Sequence, residues 1–476
     1  MTHLRKDRCA PRGSHRGWGF TAAAAIAACV ALVVGGCGAG HETAETARFD
    51  VPVEYYTLDN GLKVVLSPDH TTPTVVVAVY YNIGFRIEPR NRTGFAHLFE
   101  HMMFQGSENL GKMAHIRLVQ LNGGVLNGST RFDFTNYFEI VPANVLEKTL
   151  WAEADRMRGL AVTQENLTNQ KGVVTNEVKN AVLNQPYGGF PWLDLPQIAN
   201  SNWYNAHNFY GDLADLEAAT LEDVQAFFDT YYAPNNAVVV LVGDFNPDEA
   251  LQMVERQFGD IEPAELPDAP DLTEPPQTEE KVQSKVDERA NRPALGFAYH
   301  MPERNTPEFF AMGLLDQILV QGEDSLLHKA LVKDAGFTSE VSGGINYLLG
   351  NQFNYDGPML WMAQLYHDSA NTSEEIMAAV DATITNLQAE MIDQAALDRA
   401  KTKMRSSLYD IYGQLYGFGR ADLLASFALF DDNPALINEI EKSFEAVTPE
   451  LIQQTAAAYL RPENRTVLAI EPGASS

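Results

Sequence analysis

Glu217-Ala218-Ala219-Thr220-Leu221-Glu222-Asp223-Val224-Gln225 returns 228 residues later as Glu445-Ala446-Val447-Thr448-Pro449-Glu450-Leu451-Ile452-Gln453, with five of the nine positions identical. The register holds onward. Tyr231-Tyr232-Ala233-Pro234-Asn235-Asn236 matches Tyr459-Leu460-Arg461-Pro462-Glu463-Asn464, and each is followed by an apolar run, Val238 to Val242 and Thr466 to Ile470. A match sustained over this length marks a duplicated domain. Each copy closes in the same way, with a helix opened by a capping threonine (Thr220, Thr448), a Pro/Asn turn and a strand.

Between the copies, Asp260 to Glu280 holds five prolines, eight acids and no base. Such composition reads as a linker, and we place the domains at 49–259 and 293–476 with the linker across 260–292. Within the first copy, Thr74 to Tyr81 is an apolar β-branched run and Phe132 to Val141 is aromatic and alternating. Helices are expected at Gly94 to Phe104, Leu146 to Arg158 and Glu165 to Leu183. Strands and helices are interspersed without regular βα alternation, which favours an α+β fold over a doubly wound sheet.

A basic segment ending at Arg16 precedes an uncharged stretch from Phe20 to Val34 that is too short for an ordinary membrane span. Residues 1–36 therefore read as a secretory signal. Leu32-Val33-Val34-Gly35-Gly36-Cys37 resembles a bacterial lipobox, which makes Cys37 the lipidated first residue of the mature chain and 37–48 a tether. The competing reading is a short anchor helix with an incidental cysteine. Lipid anchoring would hold the protein to a membrane of the bacterial cell envelope, facing the periplasm or the outside. Of three cysteines, Cys9 and Cys29 leave with the signal, so no disulfide framework is expected. The formal charge is −29, and the basic leader makes the remainder more acidic still. Such a surface repels phosphate backbones and argues against a nucleic-acid partner.

The chemistry concentrates in Gly94-Phe95-Ala96-His97-Leu98-Phe99-Glu100-His101-Met102-Met103-Phe104. A helix stacks residues i and i+4, so His97 and His101 share one face at a separation that suits two corners of a zinc tetrahedron. Glu100 can reach a metal-bound water without being a ligand, and zinc lowers the pKa of such a water to about 7. A lone histidine in so apolar a helix is more often a satisfied core residue. The pair with an interposed acid reverses that reading, since chance matches to H-x-x-E-H are expected only about a few times in a hundred such chains.

Together with Gly94, Ala96, Met102, Phe104, Gly106, Ser107 and the duplication, this inverted motif resembles the pitrilysin-like zinc peptidases, or inverzincins. The resemblance implies two homologous α/β-roll domains in a clam-like arrangement around a peptide chamber, one Zn2+ per chain, and a third ligand from a glutamate some seventy-odd residues downstream. Glu177 matches that position, with Glu165 and Glu153 as competitors; a further family acid is replaced by Gln170. Gly123 to Thr130, followed by Thr135-Asn136-Tyr137, resembles the family's strand that pairs with an extended peptide. Asn127 and Tyr137 are its candidate substrate contacts, although Gly-Gly and Asn-Gly are also plain turn signals.

In the second copy Gly313, Asp316 and Gln317 stand opposite His97, Glu100 and His101, so one catalytic centre per chain is expected. The family's second half often supplies an arginine and a tyrosine to the scissile carbonyl, and Leu331 to Ser339 carries neither. Tyr347, Tyr355 or Lys333 could substitute, or a second homologous subunit could contribute those groups. Three functions follow: a zinc endopeptidase acting on peptides or unfolded chains, a noncatalytic peptide-binding or assembly lipoprotein, and a zinc store. The last lacks the His-rich tract that metal capture would use.

Overall fold

In the computed structural model, residues 50–473 are described. Cys37, the signal and the whole of the tether lie outside them. The apolar β-branched runs form the middle of a six-stranded sheet: β1 (Glu54–Thr57), β2 (Lys63–Pro68), β3 (Thr74–Tyr81), β4 (Val125–Thr130), β5 (Thr135–Pro142) and β6 (Ala237–Gly243). Its order is β1-β2-β6-β3-β5-β4. A second sheet contains β7 (Lys281–Asp287), β8 (Ala294–His300), β9 (Val341–Ile345), β10 (Leu360–Tyr366) and β11 (Arg465–Pro472), in the order β7-β11-β8-β10-β9. With β1 removed, the two orders coincide. So do the pairings: β2 with β6 and β7 with β11 are parallel, and every other counterpart pair is antiparallel. The architecture is mixed α/β, with two homologous sheets.

Both threonine caps form. Thr220 and Asp223 make a reciprocal capping box ahead of the helix Leu221–Tyr231, and Thr448 accepts from Leu451 N ahead of Pro449–Tyr459. The strand read at Thr74 to Tyr81 and the helix read at Leu146 to Arg158 occur with those limits. The linker reading extends too far, because 281–287 is β7. Its backbone pairs along β11 from Lys281 to Asp287, and a strand needs that partner more than it needs apolar side chains. Among the described residues no helix is long and apolar enough to cross a membrane.

Each half lends a helix to the other's sheet. Phe418–Phe430, from the second half, packs on β2, β3 and β6. There Tyr80 Oη donates to Asp422 at 2.8 Å and Phe418 stacks on Phe138 at 3.7 Å. In return the short helix Asp194–Ala199 packs on β8 and β11. A Cβ added to Gly296 would lie 2.9 Å from the Phe190 ring and 3.3 Å from Leu195, so glycine lets this helix approach. Arg86 seals the seam. Fully buried, it donates to Asp133 (2.6 Å), Asn205 (2.8 Å) and the carbonyl of Pro358 (2.8 Å), while Asp133 also accepts from Asp356 N at 2.8 Å.

Candidate metal centre

The helix α1 (Phe95–Met102) follows from the apolar content of its sequence. Phe95, Ala96, Leu98, Phe99 and Met102 are all buried, with Phe99 stacked on Phe227 at 5.2 Å and on Tyr232 at 4.9 Å. Its first residue is preceded by Gly94 at φ 83°, which has no capping side chain. The buried Glu88 supplies that function, accepting from Gly94 N at 2.8 Å and Ala96 N at 2.6 Å. Burial raises the Glu88 carboxyl above its ordinary range, and bonds from His207 and these amides oppose the rise.

This anchoring sets His97 and His101 one above the other, with their Nε2 atoms 3.3 Å apart. The third corner comes from α2, the helix Gln164–Val178, whose Glu177 lies 3.4 Å from His97 Nε2 and 3.2 Å from His101 Nε2. Four-coordinate zinc with bonds of about 2.0–2.1 Å spaces its donors about 3.3–3.4 Å apart, so the three residues fit the ion. Bonds from His101 and then His97 hold the Glu177 carboxyl well below the usual carboxylate range. Glu100 stands outside this triangle, accepting from Thr130 Oγ1 at 2.8 Å. A Cβ on Gly128 would lie 3.3 Å from Glu100 Cγ, so β4 runs directly against the acid.

The competitors for the third corner are elsewhere. Glu165 is exposed in the first turn of α2. Glu153 belongs to a second, wholly buried donor cluster with His115 and Glu139. Arg156 already fills that cluster, bonding Glu153 through Nε at 2.9 Å and lying 3.4 Å from Glu139, so a divalent cation would add charge beside a buried guanidinium. Gln170 is buried and bonds Asn169 at 2.7 Å.

The substrate contacts read from the sequence fare unequally. β4 is the edge of its sheet, pairing only with β5, and Asn127 is exposed on it. Gly128 and Thr130 face Glu100, so alternation sends the Asn127 side chain to the opposite face. Tyr137 does not contact a peptide: it is 0% exposed, packed between Arg156 (4.6 Å) and Tyr81 (6.1 Å). Every residue of β5 from Thr135 to Val141 is buried, so the strand is covered on both faces. Tyr137→Phe should therefore leave peptide cleavage within about twofold of wild type, measured as kcat/KM.

In the second half, Asp316 accepts from Trp361 Nε1 at 2.8 Å and Gln321 Nε2 at 3.1 Å, and burial pushes it up to about 7. Gln317 is buried beside it, and no metal-donor cluster occurs there among the described residues. Lys333 is exposed beside Glu323, Tyr355 is enclosed, and Tyr347 bonds Ser342 Oγ at 3.1 Å. Sequence reasoning missed Tyr210, whose hydroxyl lies 3.4 Å from Glu177 and whose ring meets His97 edge-on at 5.1 Å. Nothing in its spacing from the motif signals that contact.

A family model described as Insulinase (Peptidase family M16) matches residues 63–187, and one described as Peptidase M16 inactive domain matches 218–404, together more than half of the chain. Zinc protease PqqE of Helicobacter pylori is 25% identical over 427 residues, covering 88% of this chain and 93% of that one. Mitochondrial-processing peptidase subunit beta of Rattus norvegicus is 25% identical over 266 residues, 55% of this chain and 54% of that one. The crystal structure of a protease from Helicobacter pylori superposes with a TM-score of 0.82 at 23% identity, covering 89% of this chain and all of that one, which speaks for the fold. With both halves matched by domains of one family, in the order in which the duplicated sheets occur, the chain belongs to peptidase family M16.

Proposed function

We propose that the protein is a zinc-dependent endopeptidase of the bacterial cell envelope, with residues 49–259 as the catalytic domain, 260–280 as the connection and 281–476 as its noncatalytic homologue. The observation that carries this reading is the donor triangle of 3.2–3.4 Å with Glu100 beside it and an open sheet edge alongside. His97, His101 and Glu177 would hold one Zn2+. The ion, when bound, acidifies water and polarises a carbonyl.

The remaining work falls to the chain itself. Thr130 occupies Oε2 of Glu100, which leaves Oε1 to take a proton from the attacking water and to return it to the leaving amide nitrogen. The free edge of β4 would take an extended peptide as an added strand, reading its backbone and little of its sequence. That selectivity suits unfolded chains. Cys37 would tether the protein to the membrane.

A noncatalytic role is favoured by one observation: Leu331 to Ser339 offers neither arginine nor tyrosine, and Lys333 is engaged by the Glu323 carbonyl at 2.9 Å. A second homologous subunit reconciles the two readings by supplying those groups. Purified protein is expected to contain one zinc per chain and to cleave unfolded peptides in a chelator-sensitive manner, on its own or with a homologous subunit added. Stoichiometric zinc with peptide binding but no cleavage under either condition would establish the noncatalytic role. Absence of zinc binding would overturn both the metal centre and the peptidase.

A further inference from the structure

We infer that Tyr210 is the positioning residue of the metal centre: its hydroxyl holds the Glu177 carboxylate against the two imidazoles before any ion arrives. The inference rests on the zinc reading above and asks what preassembles that site.

Glu177 comes from a helix other than the one bearing the histidines, and its side chain is 36% exposed. Its partners are His97, His101 and Tyr210. The first two would be ligands themselves, so their nitrogens turn to the ion on loading. Among the described residues the Tyr210 hydroxyl, 3.4 Å from Oε1, is the partner that remains to hold the carboxylate in both states. His97 needs support as well. Its Nδ1 is buried without a hydrogen-bond partner, so packing fixes the ring, between Phe209 at 5.0 Å and Tyr210 at 5.1 Å.

Tyr210 can act this way because its backbone is locked to the start of α1. Gly94 and Gly211 both sit at positive φ, 83° and 67°. A Cβ on Gly94 would lie 2.6 Å from the Tyr210 carbonyl oxygen, and one on Gly211 would lie 2.2 Å from Gly94 N. Thr93 Oγ1 accepts from Asp212 N at 2.8 Å and donates to Asp215 at 2.7 Å. The tyrosine and the histidine helix are thus tied together, and Glu177 meets them from the neighbouring helix α2. Partners behind metal ligands typically tune affinity by 10–100-fold.

The test measures zinc dissociation constants by chelator competition on the whole chain. Tyr210→Phe deletes one hydroxyl and keeps the ring against His97. It is expected to weaken zinc about tenfold or more, with an unchanged thermal unfolding midpoint for the metal-free protein. In a Glu177→Gln background the same change should add less than about twofold. Cobalt(II) in place of zinc should show visible absorption bands altered by Tyr210→Phe. Wild type that binds zinc with Tyr210→Phe binding it equally well would overturn this inference alone. Wild type that binds none would overturn the metal centre with it.

Discussion

Glu100→Gln is expected to keep one zinc per chain and to lose peptide hydrolysis by about 10²–10⁴-fold, the contribution of a positioned general base. The carboxylate lies outside the donor triangle, so an isosteric amide leaves His97, His101 and Glu177 untouched. Thr130 Oγ1 donates to Oε2, and it will keep an oxygen of the glutamine as its acceptor. That orientation puts an NH2 where the proton must be taken, so the variant loses basicity and presents a donor to the attacking water. Metal analysis beside a fluorogenic peptide assay checks both halves of the expectation. Cleavage within twofold of wild type removes Glu100 from the chemistry, whereas loss of the ion would make it a ligand.

Arg86→Ala should destabilise the fold by about 3–5 kcal/mol, because removing one partner of a buried pair leaves the other charged and dry. Asp133 is 4% exposed and would keep only the Asp356 amide. The Asn205 oxygen and Pro358 carbonyl lose their donor in the same step, and a void opens beside Gly357, where a Cβ would now meet the guanidinium at 2.8 Å. Arg158→Ala serves as the comparison. Its pair with Asp260 is 35% and 72% exposed, and solvent screening limits its worth to about 0–1 kcal/mol. Urea unfolding midpoints separate the two, and equal shifts would mean that the seam contributes nothing special.

Local signals account for what was legible. The β-branched run of β3, the periodic helix Leu146–Arg158 and the threonine caps are set by neighbours a few residues away, and they occur where the sequence placed them. The spacing of His97 and His101 belongs to the helix itself. Long-range facts were not available in that way. Glu153 looked like a competing ligand until Arg156, one turn on, was seen to bond it. Tyr137 sits in an alternating strand, but helices cover both faces of the sheet there. The helix Phe418–Phe430 is buried from Gly419 to Leu429, which announces a core position without saying whose sheet it covers.

That exchange of helices limits how the molecule can be taken apart. Either lobe expressed alone would present a greasy sheet surface with its lid missing: β3 and β6 without Phe418–Phe430, or Leu468 and Ile470 without Phe190 and Leu195. A protease that nicks the acidic segment 260–280 would cut the covalent thread but leave the lobes clasped. Each copy thus serves as the other's chaperone, covering a sheet face that its partner cannot cover for itself.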